Sequence, residues 1–146
     1  MKKFQIGDSI DALVELESLL EYNHIAYVKD SGEYRFIFAD RGLKWETVCR
    51  PLQEGAVLIY GFYPFKLTSC PAVQQFCESV NSRVRYGAMM FQDDQLVFRT
   101  CADLFDIYSS YETIARALEY NADVIVRFWV RAASCMQNTA AARNLL

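Results

Sequence analysis

The stretch from Tyr86 to Thr100 constrains the fold most. Two apolar runs, 86–91 and 96–100, flank Asp93-Asp94, and a two-residue turn there pairs Phe91 with Leu96 and Met89 with Phe98. Residues that alternate along a strand share a face, so this register puts Met89, Phe91, Leu96 and Phe98 on one side and Met90 and Val97 on the other. A tight antiparallel hairpin follows, and with it an antiparallel sheet that needs helices to cover its apolar side.

The rest of the chain supplies those partners. Residues 10–23 place Ile10, Leu13, Val14 and Leu20 on one helical stripe, with Asp8 or Ser9 able to accept from the first free N–H groups. Residues 25–28 and 34–38 flank Asp30-Ser31-Gly32, and a three-residue loop there sets Val28 opposite Tyr34 and Ala26 opposite Phe36. Two more β-rich runs follow at 44–50 and 56–65; the second is apolar at both parities, as a central strand is. A second helix is capped by Thr68, Ser69 or Cys70, opens with Pro71 and buries Val73, Phe76, Cys77 and Val80. The last helix starts at a capping box, Ser109-x-x-Glu112, and runs to about Cys135 through Ile114, Leu118, Ile125 and Ala132. Its acid-first pairs are Glu112 with Arg116 and Asp123 with Arg127. The expected fold class is α+β, an antiparallel sheet of five or six strands with three helices in the order α-β-β-β-α-β-β-α. Residues 1–136 form a single domain and 137–146 a frayed tail.

Composition bounds the function. The 146 residues, 53% hydrophobic and 23% charged, suit one globular domain with no need of a disulfide or metal. The longest uncharged apolar run, 56–65, is broken by Gly61 and Pro64 and is about half of a membrane-spanning helix, which argues against a membrane protein. Asp8 and Asp11 fall where the apolar part of a signal peptide would lie, so the expected location is cytoplasmic. A formal charge of −3 makes nucleic acid a poor partner. Cys49, Cys70, Cys77, Cys101 and Cys135 lack zinc-type spacing and read as reduced, mostly buried thiols.

Several constellations carry candidate chemistry. His24 is the one histidine, so a cysteine-dependent enzyme would have to pair it with Cys77 or Cys101; its place just after a helix reads more simply as a cap. Asp103 and Asp106 with Asp93-Asp94 would make an acidic cluster for a hard cation, without EF-hand spacing. No glycine-rich phosphate loop occurs. A sheet bearing Tyr27, Arg35, Tyr86 and Arg99 offers a stacking platform for single-stranded RNA. The feature with most weight is an apolar surplus: Ile37, Met90, Val97 and one side of 56–65 stand opposite the core parity. Either the last helix crosses to cover them or they form a dimer or ligand surface.

Particular residues across 70–132 also resemble the YbjN-domain family. They are the helix end Val80-Asn81-Ser82, the hairpin from Tyr86-Gly87 through Asp93-Asp94 to Val97-Phe98-Arg99, and a final helix reached through Ser110 and Glu112 and carrying Ala122-Asp123. The segment 101–108, with its extra acids, departs from that pattern. The family is described as bacterial sensory-transduction regulators with a fold like type III secretion chaperones, and no agreed enzymatic activity comes with it. The resemblance implies a binding or chaperone-like module, often dimeric. The expected function is therefore non-enzymatic, with no cofactor and no metal. A protein or peptide partner, or a second copy in a homodimer, would meet a surface made by Ile37, Met90, Val97, Tyr86 and Arg99.

Overall fold

A computed structural model describes the backbone of residues 10–144 and the side chains of residues 10–136. The order is α1 (Ala12–Tyr22), β1 (Val28–Asp30), β2 (Glu33–Asp40), β3 (Leu43–Leu52), β4 (Ala56–Phe62), α2 (Pro71–Asn81), β5 (Ala88–Gln92), β6 (Gln95–Asp103), α3 (Ser110–Arg127) and α4 (Trp129–Asn144). All six strands join one antiparallel sheet in the order β1-β2-β3-β4-β6-β5. The α+β class holds, with four strands rather than three before the second helix and four helices rather than three among the described residues.

Three hairpins turn on two residues with positive φ: Ser31-Gly32 (52° and 78°), Arg41-Gly42 (50° and 80°) and Asp93-Asp94 (50° and 64°). Such turns match the right-handed twist of the strands they join. At Asp93-Asp94 the register is the expected one, Phe91 opposite Leu96 and Met89 opposite Phe98. The first hairpin corrects the expected three-residue loop: Ser31 itself adopts positive φ, the turn closes at Asp30 and Glu33, and Val28 faces Arg35 instead of Tyr34. That one-residue slip moves Val28 to the outer face, where it is exposed, and leaves Ala26 outside the strand.

The helix starts differ in detail. Asp11 caps α1, accepting from the N–H groups of Leu13 and Val14; Asp8 and Ser9 lie outside the described residues. Its buried stripe is Ala12, Leu16, Leu19 and Leu20, leaving Val14 exposed. Cys70 stands at the cap of α2 without a side-chain bond, and Val73, Phe76 and Val80 are buried as expected. The capping box at Ser109 does not form: Ser109 Oγ donates to the Asp106 carbonyl, and Glu112 pairs with Arg116 at 2.6 Å. Asp123 reaches Arg41 at 2.6 Å in the β2–β3 turn, not Arg127.

The expected single last helix is broken at Phe128. The carbonyl of Ile125 would accept from position 129 in an unbroken helix, and it receives the hydroxyl of Tyr63 at 2.8 Å. Beyond the break, α4 turns Trp129 toward the rings of Trp45, Tyr63 and Phe65. The helical backbone continues through 137–144, the segment expected to fray, whose side chains lie outside the described residues.

Every helix packs on one side of the sheet. One apolar cluster joins α1 and the start of α3 to Tyr34, Phe36, Cys49, Val57 and Ile59. The other joins α2, α4 and the end of α3 to Trp45, Tyr63, Met89, Leu96 and Phe98. Asn121 lies buried near the seam, its amide donating to Phe98 O at 2.9 Å, Ile59 O at 3.3 Å and Thr100 Oγ1 at 3.2 Å.

Candidate functional site

Because the helices share one side, the opposite face of the sheet is framed by strands. The pairings carry two rows of side chains across it. One row reads Ile37, Glu46, Phe62, Val97, Met90 and the other Val28, Arg35, Val48, Tyr60, Arg99, Ala88. The last helix does not cross to cover these rows, since α4 packs against α2 and the core side of the sheet. β4 is the central strand, as expected, with Val57, Ile59 and Gly61 buried against the helices and Leu58, Tyr60 and Phe62 half-buried on the outer face.

The five expected site residues are distributed unevenly. Ile37, Val97 and Met90 do lie on one row, and Arg99 is in the next. Val97, however, is fully buried, so it is not apolar surface awaiting a partner. Met90 is half-buried, and Ile37 is 62% exposed at the far end of the row. Tyr86 is on the other side. Gly87, at φ +88°, turns the chain before β5, and the Tyr86 ring packs 4.3 Å from Tyr120 of α3. Side-chain atoms at Gly87 would meet Arg99 O and the Phe98 ring at 2.7 Å, so the turn requires glycine twice over. Tyr27 likewise sits against Tyr34 on the helix side. The stacking platform expected for RNA thus loses both of its tyrosines.

What the structure assembles instead is a groove of about 330 Å³ over Tyr60 and Phe62, bounded by Arg35, Arg50, Arg99, Glu33, Met90 and the Asp93 turn. Arg50 donates to Glu33 Oε2 through Nε at 3.1 Å and through Nη2 at 2.5 Å, and its guanidinium lies 5.7 Å from the Tyr60 ring centre. Arg35 bridges Glu33 at 2.9 Å and Glu46 at 3.6 Å. Hydrogen bonds from Arg50, with Arg50 and Arg35 charge close by, hold the Glu33 carboxyl below its ordinary range against the opposing effect of burial. Arg99, opposite Tyr60 in register, makes no ion pair among the described residues. The sequence reading put one side of 56–65 on this face without naming Tyr60 or Phe62, which the parity of β4 relative to β6 singles out, and it missed Arg50.

The other constellations come apart. Burial pushes the Cys77 thiol up to about 11, and burial with Asp103 beside it raises Cys101. No hydrogen bond joins His24 to a cysteine among the described residues; its backbone instead ends α1 at φ 55°. Asp93-Asp94 and Asp103 sit at opposite ends of the nine-residue β6, so the imagined acidic cluster does not form. Among the described residues no group of three His, Cys, Asp or Glu side chains is placed to hold a metal ion. No helix among them is long and apolar enough to cross a membrane.

No protein-family model matches the chain, and no curated protein matches it in sequence. Among solved structures it is similar to YbjN from E. coli, described as a candidate transcription regulator, at a TM-score of 0.57 and 14% identity over 84% of this chain and 91% of that one. Element order, a six-stranded antiparallel sheet and helices on one side give this chain a YbjN-like α+β fold.

Proposed function

We propose that the chain is a non-enzymatic regulatory module that binds a segment of another protein across the outer face of its sheet. The observation that carries this reading is the groove over Tyr60 and Phe62, where aromatic surface lies among three arginines, one of them without an ion-pair partner among the described residues. Aromatic and arginine side chains are the residue types that dominate protein interfaces. The description of YbjN as a candidate transcription regulator is compatible with such a role, as is the raised range of Cys77 and Cys101. Cytoplasmic location belongs to the same proposal.

The test is comparative co-purification. Proteins retained by the parent chain are identified, and the same capture is repeated with Tyr60→Ala combined with Arg99→Glu, after circular dichroism has shown both chains folded. Loss of a specific partner supports the reading. Undiminished capture of every partner by the double variant refutes it.

A further inference from the structure

The turn between β6 and α3 holds the most exposed apolar side chains of the described residues, and the groove gives them no role. The rings of Phe105 and Tyr108 are 90% and 94% exposed, and Ile107 is 60% exposed. Leu104 and Ser110, at the two ends of the turn, are buried. Between them the backbone is tied down. The Asp106 carboxylate accepts from the Tyr108 N–H at 2.8 Å, the Asp106 carbonyl from the Ser109 N–H at 3.2 Å, and the Ile107 carbonyl from the Ser110 hydroxyl at 2.9 Å. Three large apolar side chains are thus held out into water by an anchored turn, and clustered exposure of this kind marks interaction surface.

The surroundings carry one sign of charge. The Leu104 N–H donates to Gly55 O at 2.9 Å, which ties the turn to the β3–β4 connection. Just past Ser110, the Tyr111 ring meets Tyr22 of α1 edge-on at 5.8 Å, and its hydroxyl accepts from Asn23 at 3.0 Å. The turn, the β3–β4 connection and α1 therefore share one end of the molecule. Residues 10–28, 51–65 and 100–115 hold eight acids and no lysine or arginine, although the whole chain carries only −3. Two of the eight meet a cation, Glu17 with Lys29 and Glu112 with Arg116. The other six, Asp103 and Asp106 among them, have no ion-pair partner among the described residues.

We infer that this acidic, aromatic end is a docking surface for a basic amphipathic segment of a partner protein, one in which lysine or arginine recurs beside apolar side chains. Asp103 and Asp106 stand on either side of Phe105 in the chain, so a cation of the partner meets carboxylate and ring face together. Exposed ring faces attract ammonium and guanidinium groups. Acids with no cation nearby steer a basic segment toward them. Nucleic acid and anionic lipid carry the same sign as this end and are repelled by it. The surface lies on the helix side of the sheet, so it neither includes the groove over Tyr60 nor depends on it.

The probe is a synthetic peptide of about 18 residues with lysine and leucine at helical spacing, titrated into the full chain at low salt and followed by fluorescence anisotropy. A peptide with glutamate in place of every lysine is the control. Two variants are compared with the parent, Phe105→Ser with Tyr108→Ser and Asp103→Asn with Asp106→Asn. All four side chains are exposed, and asparagine keeps the acceptor that Asp106 offers Tyr108, so both variants should fold, as circular dichroism checks. The expected result is saturable binding of the lysine peptide alone, weakened about tenfold or more in each folded variant. Amide shifts on binding should fall at 103–111 and along α1. If one variant does not fold, the other decides. No binding, equal binding of the glutamate peptide, unchanged affinity in a folded variant, or shifts centred on Tyr60 and Phe62 overturns the inference. A rise of about tenfold or more in Lys2→Glu with Lys3→Glu overturns it as well, because the chain's own first residues would then be the occupant.

Discussion

Replacing Gly61 with alanine tests how the helix layer sets the outer face. An added Cβ would lie 2.4 Å from Asn121 Oδ1 and 3.1 and 3.2 Å from Ile125, so something must shift. Overpacking of this kind costs about 1–3 kcal/mol. Displacing Asn121 from its bonds to Phe98, Ile59 and Thr100 leaves buried polar groups unsatisfied, for a further ~1–3 kcal/mol. The reduced freedom of the unfolded chain returns about 0.4–1 kcal/mol. The expected net loss is about 2–4 kcal/mol, read as a shift of the urea midpoint by circular dichroism and tryptophan fluorescence. Asn121→Ala in the Gly61→Ala background removes the nearest clash, so the double variant should lose less than the sum of the single losses by more than about 1 kcal/mol. A Gly61→Ala chain within about 0.5 kcal/mol of the parent, or an additive cycle, would refute the reasoning. Tyr60 and Phe62 flank this glycine and line the groove, so amide shifts in the groove should accompany the loss.

Three other outcomes follow from particular contacts. Tyr63→Phe deletes the bond to Ile125 O at the helix break and should cost about 1–2 kcal/mol, with a change in Trp129 emission in the folded state. Asn81→Ala should strip protection from the Met89 amide in hydrogen exchange while leaving the Met90 amide, which faces β6, protected. Glu33 has a folded-state range below the ordinary 4.5, so its contribution to stability is present above that value and is lost as pH falls through the lowered one; urea midpoints from pH 7 to pH 3 should decline less steeply in Glu33→Gln.

The sequence was most readable where local chemistry and alternation agreed. At 86–100 the acidic turn and four apolar residues at matched parity admit a single register, and that register is present. At 25–38 the glycine offered itself as the one left-handed residue, and the positive φ of Ser31 broke the tie the other way. The break at Phe128 is invisible to helical periodicity because its cause, Tyr63, stands 62 residues away in sequence from the carbonyl it binds. In the candidate site, parity put Ile37, Met90, Val97 and Arg99 on the outer face. The full burial of Val97 on that face does not follow from parity, and the diversion of Tyr86 depends on Gly87, a matter of backbone sign that one sequence does not display.

The seam at Asn121 bears on how the molecule comes apart. α3 contributes Ile114 and Leu118 to one apolar cluster and Ala122, Val124 and Ile125 to the other, so a single rod is shared by two half-cores. Asn121, between these groups, bonds carbonyls on two adjacent strands where an aliphatic side chain would have merged the halves. Loosening of α1 therefore strips one half-core of a helix while the other keeps α2, α4 and the second half of α3. The energetic grain of the domain runs across α3 rather than along it, and partial opening at the α1 end leaves the β5–β6 hairpin and its covering helices assembled.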